Sequence, residues 1–232
     1  MLRMFLLISQ LRHEQRPNKK GKSLFGSKSN DVPKNRLTIV NRKKYEASVR
    51  EWEREIKRDP NNELLWNNKG VSLVRLGELK DAIKCYNKAL KINSQYDNAW
   101  FNKGKALTKL EKHKDAVKCY ERALELNPKN ISAWNNRGIS LRSIGRYEEA
   151  IRSFDKTIEI DKNYEWGWHN KGFTLSEMGR LEDALACYNR ALEINSNYQA
   201  ATKHQQRILR ILALKEKEES MRTTKKRAKK GK

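Results

Sequence analysis

From about Lys43 onward the apolar positions recur with a helical period. Tyr45, Val49, Trp52 and Ile56 stand at i, i+4, i+7 and i+11, which is one stripe of a helix. Asp59-Pro60 closes that stripe, because the residue before a proline is pushed out of helical geometry. Beyond it the stripes come in pairs, and the pairs repeat. Trp66, Gly70 and Leu73 share one face of a first helix, and the trio returns as Trp100, Gly104, Leu107, then Trp134, Gly138, Leu141, then Trp168, Gly172, Leu175. Each second helix carries its own set: Ala82, Tyr86, Ala89, then Ala116, Tyr120, Ala123, then Ala150, Phe154, Thr157, then Ala184, Tyr188, Ala191. The tryptophans are 34 residues apart each time. A fixed period of that length marks a stack of helical units, each burying its apolar face against the next.

The pattern divides the chain. Residues 1–42 form a basic, mostly disordered segment, since their polar composition cannot offset the entropy of ordering. Residues 43–62 hold a capping helix equivalent to half a repeat. Four full repeats follow at 63–96, 97–130, 131–164 and 165–198. In 199–219 the tryptophan slot becomes Thr202 and the glycine slot Gln206, while Ile208, Leu209, Ile211, Leu212 and Leu214 keep an apolar stripe. That segment is expected to be a C-terminal capping helix, followed by a basic disordered tail at 220–232. Gly77, Gly145 and Gly179 occupy the slot that ends each first helix, where a left-handed residue is needed, and the second repeat has Glu111 there and should turn less comfortably. A glycine inside a helix costs about 1 kcal/mol against alanine. Its fourfold return therefore points to close approach by a second helix, expected at the small residues Ala82, Ala116, Ala150 and Ala184.

Charge changes the picture only at the ends. The formal net charge is +23. Residues 1–42 carry ten Lys/Arg against two acids and residues 199–232 twelve against three, so most of the excess lies outside the repeats. Cys85, Cys119 and Cys187 hold one slot of the repeat, which is Ser153 in the third, and a shared slot on stacked helices is a packing position. A reduced, cytoplasmic chain is the corresponding expectation. Residues 1–8 look slightly like a signal sequence, but the apolar run is short and no small-residue cleavage site follows, so neither export nor a membrane span is expected.

The slots Trp, Gly, Leu, Ala, Tyr/Phe, Ala and Pro at this period resemble those of the tetratricopeptide repeat (TPR) family over 63–198, or 43–219 with the caps. Two departures stand out. Lys or Arg precedes the glycine (Lys69, Lys103, Arg137, Lys171) where the family has an apolar residue, and only Pro128 keeps the terminal proline. The resemblance implies an all-α fold: an α-solenoid of antiparallel helix pairs wound as a right-handed superhelix, with flanking capping helices. First helices would line its concave face. It also implies a non-catalytic protein-interaction scaffold that holds a peptide or helix of a partner in the groove.

One asparagine per first helix, at constant phase, forms a ladder: Asn68, Asn102, Asn136 and Asn170. An amide offers one acceptor and two donors and can pair with a peptide backbone whatever its side chains. By resemblance these are the leading partner-binding residues. The flanking slots add Asn67, Phe101, Asn135, His169, Lys105 and Phe173, with Leu64, Ser132, Trp166, Val71 and Ile139 beside them. The family's carboxylate clamp would fall on Asn67 and Val71, and Val71 breaks it, so that ligand is not expected. His113, His169 and His204 have no metal-ligand spacing, and no nucleophile–base set or phosphate loop is visible. No enzyme activity, cofactor, metal or small-molecule substrate is expected. The alternative function is an adaptor for nucleic acid or an anionic surface, acting non-specifically through the Lys/Arg-rich tails.

Overall fold

The computed structural model describes the backbone of residues 34–230 and the side chains of residues 41–224. The expected character of residues 1–33 lies outside the described residues. Ten helices and no strand are present among those described: α1 (Lys34–Arg58), α2 (Glu63–Leu76), α3 (Leu79–Ile92), α4 (Asp97–Lys109), α5 (His113–Leu126), α6 (Ile131–Ser143), α7 (Tyr147–Ile160), α8 (Glu165–Glu177), α9 (Leu181–Ile194) and α10 (Gln199–Lys230). The account below concerns Val40–Lys232, which forms one compact unit.

The four expected pairs are α2–α3, α4–α5, α6–α7 and α8–α9, joined by tight turns. Each first helix packs on its own second helix, and each second helix packs on the next first helix. First helices also touch one another from repeat to repeat, whereas second helices do not among the described residues. First helices therefore converge on one side and second helices splay on the other. This is the curvature of an α-solenoid with its first helices on the inner wall.

The tyrosine of the second helix explains the helical glycine. A Cβ on Gly70 would stand 2.6 Å from Tyr86 Cε1, one on Gly104 2.6 Å from Tyr120 Cε1, and one on Gly138 2.5 Å from Phe154 Cε1. The expected alanine contact is thus a ring contact in three repeats. Only in the fourth does the smaller partner meet the glycine, through Cys187 Cβ at 3.0 Å and the Ala184 carbonyl at 3.1 Å. Tyr86, Tyr120, Phe154 and Tyr188 are fully buried, each contributing about 2 kcal/mol or more by burial alone. Gly77, Gly145 and Gly179 all have positive φ, and Glu111 does as well, at 59°. The second repeat thus turns through a strained non-glycine residue, as its sequence implied.

Three further bonds recur at the repeat period. The tryptophan indole donates to a carbonyl six residues back in every repeat: Trp66 to Pro60, Trp100 to Ser94, Trp134 to Pro128 and Trp168 to Lys162, at 2.8–3.0 Å. The asparagine that closes a repeat bonds the acid that opens it: Asn93 to Glu63, Asn127 to Asp97 and Asn195 to Glu165. The third repeat has Ile131 and Asp161 at those slots and lacks the bond. Finally, the basic residue before the glycine reaches an acid sixteen residues earlier, on the preceding second helix or, for the first repeat, on α1. Lys69 bonds Glu53, Arg137 bonds Glu121 and Lys171 bonds Asp155. Lys69, Lys103 and Arg137 also lie over the indole of their own repeat. This double use accounts for the departure from the family's apolar residue.

The ends differ from expectation in length. Helix α1 begins at Lys34, nine residues before the pattern became visible, directly after Pro33, a residue suited to helix starts. Its Val49 packs against the core of α2 and α3, which contains Leu73, Ala82, Cys85 and Tyr86. Helix α10 runs to Lys230 rather than stopping at 219, because no glycine or proline interrupts Gln199–Lys230 and most of its residues favour a helix. The start of α10 buries Ala201 and Ile208 against Leu175, Ala184, Cys187 and Tyr188, covering the face that a fifth repeat would occupy. The three cysteines are free and buried. Burial raises the Cys119 and Cys187 thiols to about 11, so they stay protonated and unreactive.

Two stability changes follow. Gly104→Leu or Gly138→Leu should cost about 3 kcal/mol by driving a side chain into the buried ring, seen as a lowered thermal midpoint; an unchanged midpoint would contradict the close contact. In the sixteen-residue register the slot opposite Lys103 holds Asn87, where the other repeats have an acid. Asn87→Asp should supply the missing partner and raise stability by about 0.5 kcal/mol, a gain that high salt should erase.

Candidate functional site

The inner wall is set by helix phase. On α2 the side facing away from α3 carries Leu64, Asn68, Val71 and Arg75 at i, i+4, i+7 and i+11. The same slots are Asn98, Asn102, Lys105 and Lys109 on α4, and Ser132, Asn136, Ile139 and Ser143 on α6. On α8 they are Trp166, Asn170, Phe173 and Glu177. The four ladder amides thus lie on one face of successive inner helices. Leu64 and Trp166 are each 50% exposed and Val71 37%.

The amides are not all equivalent. Asn102 Nδ2 donates to Asn67 Oδ1 at 3.0 Å, and Asn170 Nδ2 to Asn135 Oδ1 at 2.9 Å. Asn67 and Asn135, expected to line the groove, are only 5% and 8% exposed. They sit between repeats and orient the ladder amide of the following one. In the second repeat their slot holds Phe101, which offers no acceptor, and Asn136 turns to the Ser132 carbonyl of its own helix at 2.7 Å instead. The first repeat has no preceding amide, and Asn68 accepts a long bond, 3.4 Å, from Asn67. Asn102 and Asn170 are therefore preset by a neighbour, at the cost of one donor each.

Phe101 is half-buried, 6.1 Å from the Tyr120 ring, with Lys105 Nζ 5.2 Å from its own centre. Apart from that ring, Lys105 has no ion-pair partner among the described residues. Partial burial first, and then the like charges of Arg75 and Lys109, push its pKa below the usual lysine range. Phe173 lies under the Arg142 guanidinium at 4.4 Å, and Arg142 meets Glu177 at 3.7 Å.

His169 departs most from a ligand-facing role. Its ring is held among Tyr188, Tyr198, Phe173 and His204, at centroid distances of 4.9–6.5 Å. Both ring nitrogens are buried without a well-formed hydrogen bond, with the Asn170 side chain close enough to exert only a weak pull, and the buried Tyr188 hydroxyl has no partner. In the second repeat the equivalent hydroxyl, Tyr120, meets Thr108 Oγ1 at 3.0 Å, which in turn meets Ser140 Oγ at 3.1 Å. Two repeats on, the Ser140 slot is Ile208 and that chain of hydroxyls ends. Burial, then the neighbouring His204 and Arg142, lowers His169 to about 4, against a smaller opposing pull from Asn170. His204 is lowered by burial and by Arg207 and Arg142. Among the described residues no three His, Cys, Asp or Glu side chains gather as a metal ion would require. Nor is any described helix long and apolar enough to cross a membrane.

Helix pairs in 34-residue register, with an inner wall of repeated amides, define a helical-repeat binding scaffold. The family model "Tetratricopeptide repeat" matches residues 98–130 and 166–198 and a second so described matches 119–152, while "TPR repeat" matches 72–110. The chain belongs to the tetratricopeptide repeat family, whose members are typically non-catalytic scaffolds for protein partners. Among solved structures it is similar to a crystal structure of MamA, with 23% identity over 69% of this chain and 95% of that one and a TM-score of 0.63. It is likewise similar to MamA of Desulfovibrio magneticus, with 18% identity over 70% and 95% and a TM-score of 0.63. YrrB, described as a TPR protein with an unusual peptide-binding site, is 25% identical over 73% of this chain and 87% of its own, with a TM-score of 0.64. No curated protein matches.

A buried histidine with a lowered pKa is protonated first in the unfolded chain. Its contribution is therefore whole above about pH 6.5 and is lost as pH falls towards 4. His169→Phe removes two buried nitrogens that make no well-formed hydrogen bond. It should raise stability by about 1 kcal/mol at neutral pH and flatten part of the acid loss, in thermal unfolding above and within that window.

Proposed function

We propose that this chain is a scaffold that holds an extended peptide of a partner protein along its inner wall, with Asn68, Asn102, Asn136 and Asn170 reading the peptide backbone. The observation that carries the reading is the phase of the ladder. The four amides share one face of consecutive inner helices, and after internal bonding each keeps hydrogen-bonding capacity to offer. The described peptide-binding site of the similar YrrB supports a peptide ligand. Phe173, Trp166, Val71 and Leu64 provide apolar seats for ligand side chains, and Lys105 a charge. Asn67, Asn135 and His169 act by positioning: the first two orient ladder amides, and the last packs the end of the stack.

The competing reading, an adaptor that grips nucleic acid or an anionic surface by its tails, rests on the Lys/Arg excess at the two ends. Capture from native lysate distinguishes the two. In full-length Asn102→Ala/Asn136→Ala the captured partner should fall about tenfold or more, since two backbone hydrogen bonds are worth about 1 kcal/mol each, while the variant, somewhat lowered in thermal midpoint by the loss of the Asn67 partner, stays folded at the capture temperature. If capture persists in that variant and is lost when Lys225, Lys226, Arg227, Lys229 and Lys230 become serine, the tails are the working part.

A further inference from the structure

The inner wall is not uniform in charge. Over the first two repeats it presents Arg75, Lys105 and Lys109, all exposed, and none of them forms an ion pair among the described residues. Arg75 and Lys109 hold the same slot one repeat apart, and Lys105 lies one turn before Lys109. The three are close enough that Arg75 and Lys109 both disfavour a proton on Lys105.

The acids of the inner helices do not balance this cluster. Glu63, Asp97 and Glu165 stand at the helix starts and accept from Asn93, Asn127 and Asn195. Glu177 is engaged with Arg142 at the other end of the wall. On and beside the outer helices six basic residues are matched by acids three positions away: Lys84 with Asp81, Arg122 with Glu125, Arg146 with Glu149, Lys156 with Glu159, Arg180 with Asp183 and Arg190 with Glu193. Lys88 and Lys91 of α3 pair with no described acid but lie outside the inner wall. Like charges held side by side on the inner wall cost the folded chain, and the single contact of Lys105 with the Phe101 ring does not neutralise them, so an anionic partner is the natural relief.

Over the last two repeats the wall changes character. Trp166 and Phe173 occupy the slots that hold Asn98 and Lys105 in the second repeat, Ile139 keeps the aliphatic character of Val71 in the first, and Trp166 lies half-exposed against Tyr198, ring centres 5.0 Å apart. An exposed tryptophan backed by a second ring is a firm apolar anchor site.

We infer that the peptide held in the groove is of two parts: an acidic stretch over Arg75, Lys105 and Lys109, and an apolar or aromatic stretch over Ile139, Trp166 and Phe173. The inference rests on the groove reading above and adds the ligand's composition to it. A single-stranded RNA would suit the cations. It would leave the ladder amides and the apolar half without their complement, so a polypeptide is favoured.

The test uses the full chain and three fluorescein-labelled peptides that share a Leu/Phe-rich half. Their other half is rich in Glu, in Ser or in Lys. Anisotropy titrations should show the Glu peptide binding about tenfold tighter than the Ser peptide, and the Lys peptide weakest. Lys105→Ser/Lys109→Ser should reduce Glu-peptide affinity about tenfold and leave the Ser peptide unchanged, whereas Lys88→Ser/Lys91→Ser, which removes equal charge from α3, should change neither. Trp166→Ala should weaken all three.

The inference is overturned if the α3 pair costs as much as the groove pair, since net charge alone would then act. It is also overturned if labelled oligo(U) responds to Lys105→Ser/Lys109→Ser as strongly as the Glu peptide does. If the Ser peptide matches the Glu peptide while both respond to Asn102→Ala, charge selection fails and the groove reading stands. If no peptide responds to Asn102→Ala, to the Lys105/Lys109 pair or to Trp166→Ala, both fail.

Discussion

The structure depends on an aromatic ring seated where a side chain is missing. Tyr86, Tyr120 and Phe154 each lie across a helical glycine with no room for a Cβ between them. The missing side chain lets the two helices of a pair approach closely enough for the ring to be buried completely. Dispersion and apolar burial at that contact outweigh the helix-propensity cost of the glycine by a factor of two or so. Everything at longer range is referred to it. The indole reaches back to the preceding turn, the closing asparagine ties a repeat to its own start, and the next first helix packs on a surface that is already rigid.

Neighbouring repeats are then joined by weaker, individually replaceable links. The pairs Lys69–Glu53, Arg137–Glu121 and Lys171–Asp155 bridge sixteen residues, and in the last position Gln205 donates to Asn189 with no charge at all. The link thus survives as geometry where the charges are absent, as expected if exposed ion pairs add little and packing sets the register. Thr108 and Ser140 carry a hydroxyl chain from the Tyr120 ring into the third repeat. At the end of the stack that chain has no continuation, and the poorly satisfied Tyr188 and His169 atoms mark where the repeat pattern gives way to the cap.

The same inter-repeat contacts preset the amides of the proposed groove. A ligand-facing amide is most useful when its orientation is settled before the ligand arrives, because the entropy of fixing it is then already spent in folding. Asn67 and Asn135 do this for Asn102 and Asn170, whereas Asn136 is turned by its own helix. Preorganisation therefore alternates along the wall. The alternation arises because Phe101 stands in the one internal slot where an amide would have served Asn136.

The order of helices, the pairing and the main apolar face of each helix were readable in the amino-acid order, because a 3.6-residue helix maps spacing directly onto a face and a strict period gives every repeat a similar environment. Even the irregular turn at Glu111 was legible, since the left-handed slot is defined by its position in the period. Tertiary structure alone decided what meets across the gaps. It placed rings rather than alanines on three of the glycines, gave the basic residues their partners on the preceding helix, and drew Asn67, Asn135 and His169 inward. Those outcomes depend on the rotation and offset of one helix against another. A sequence pattern carries the phase within a helix and says nothing of the angle between two.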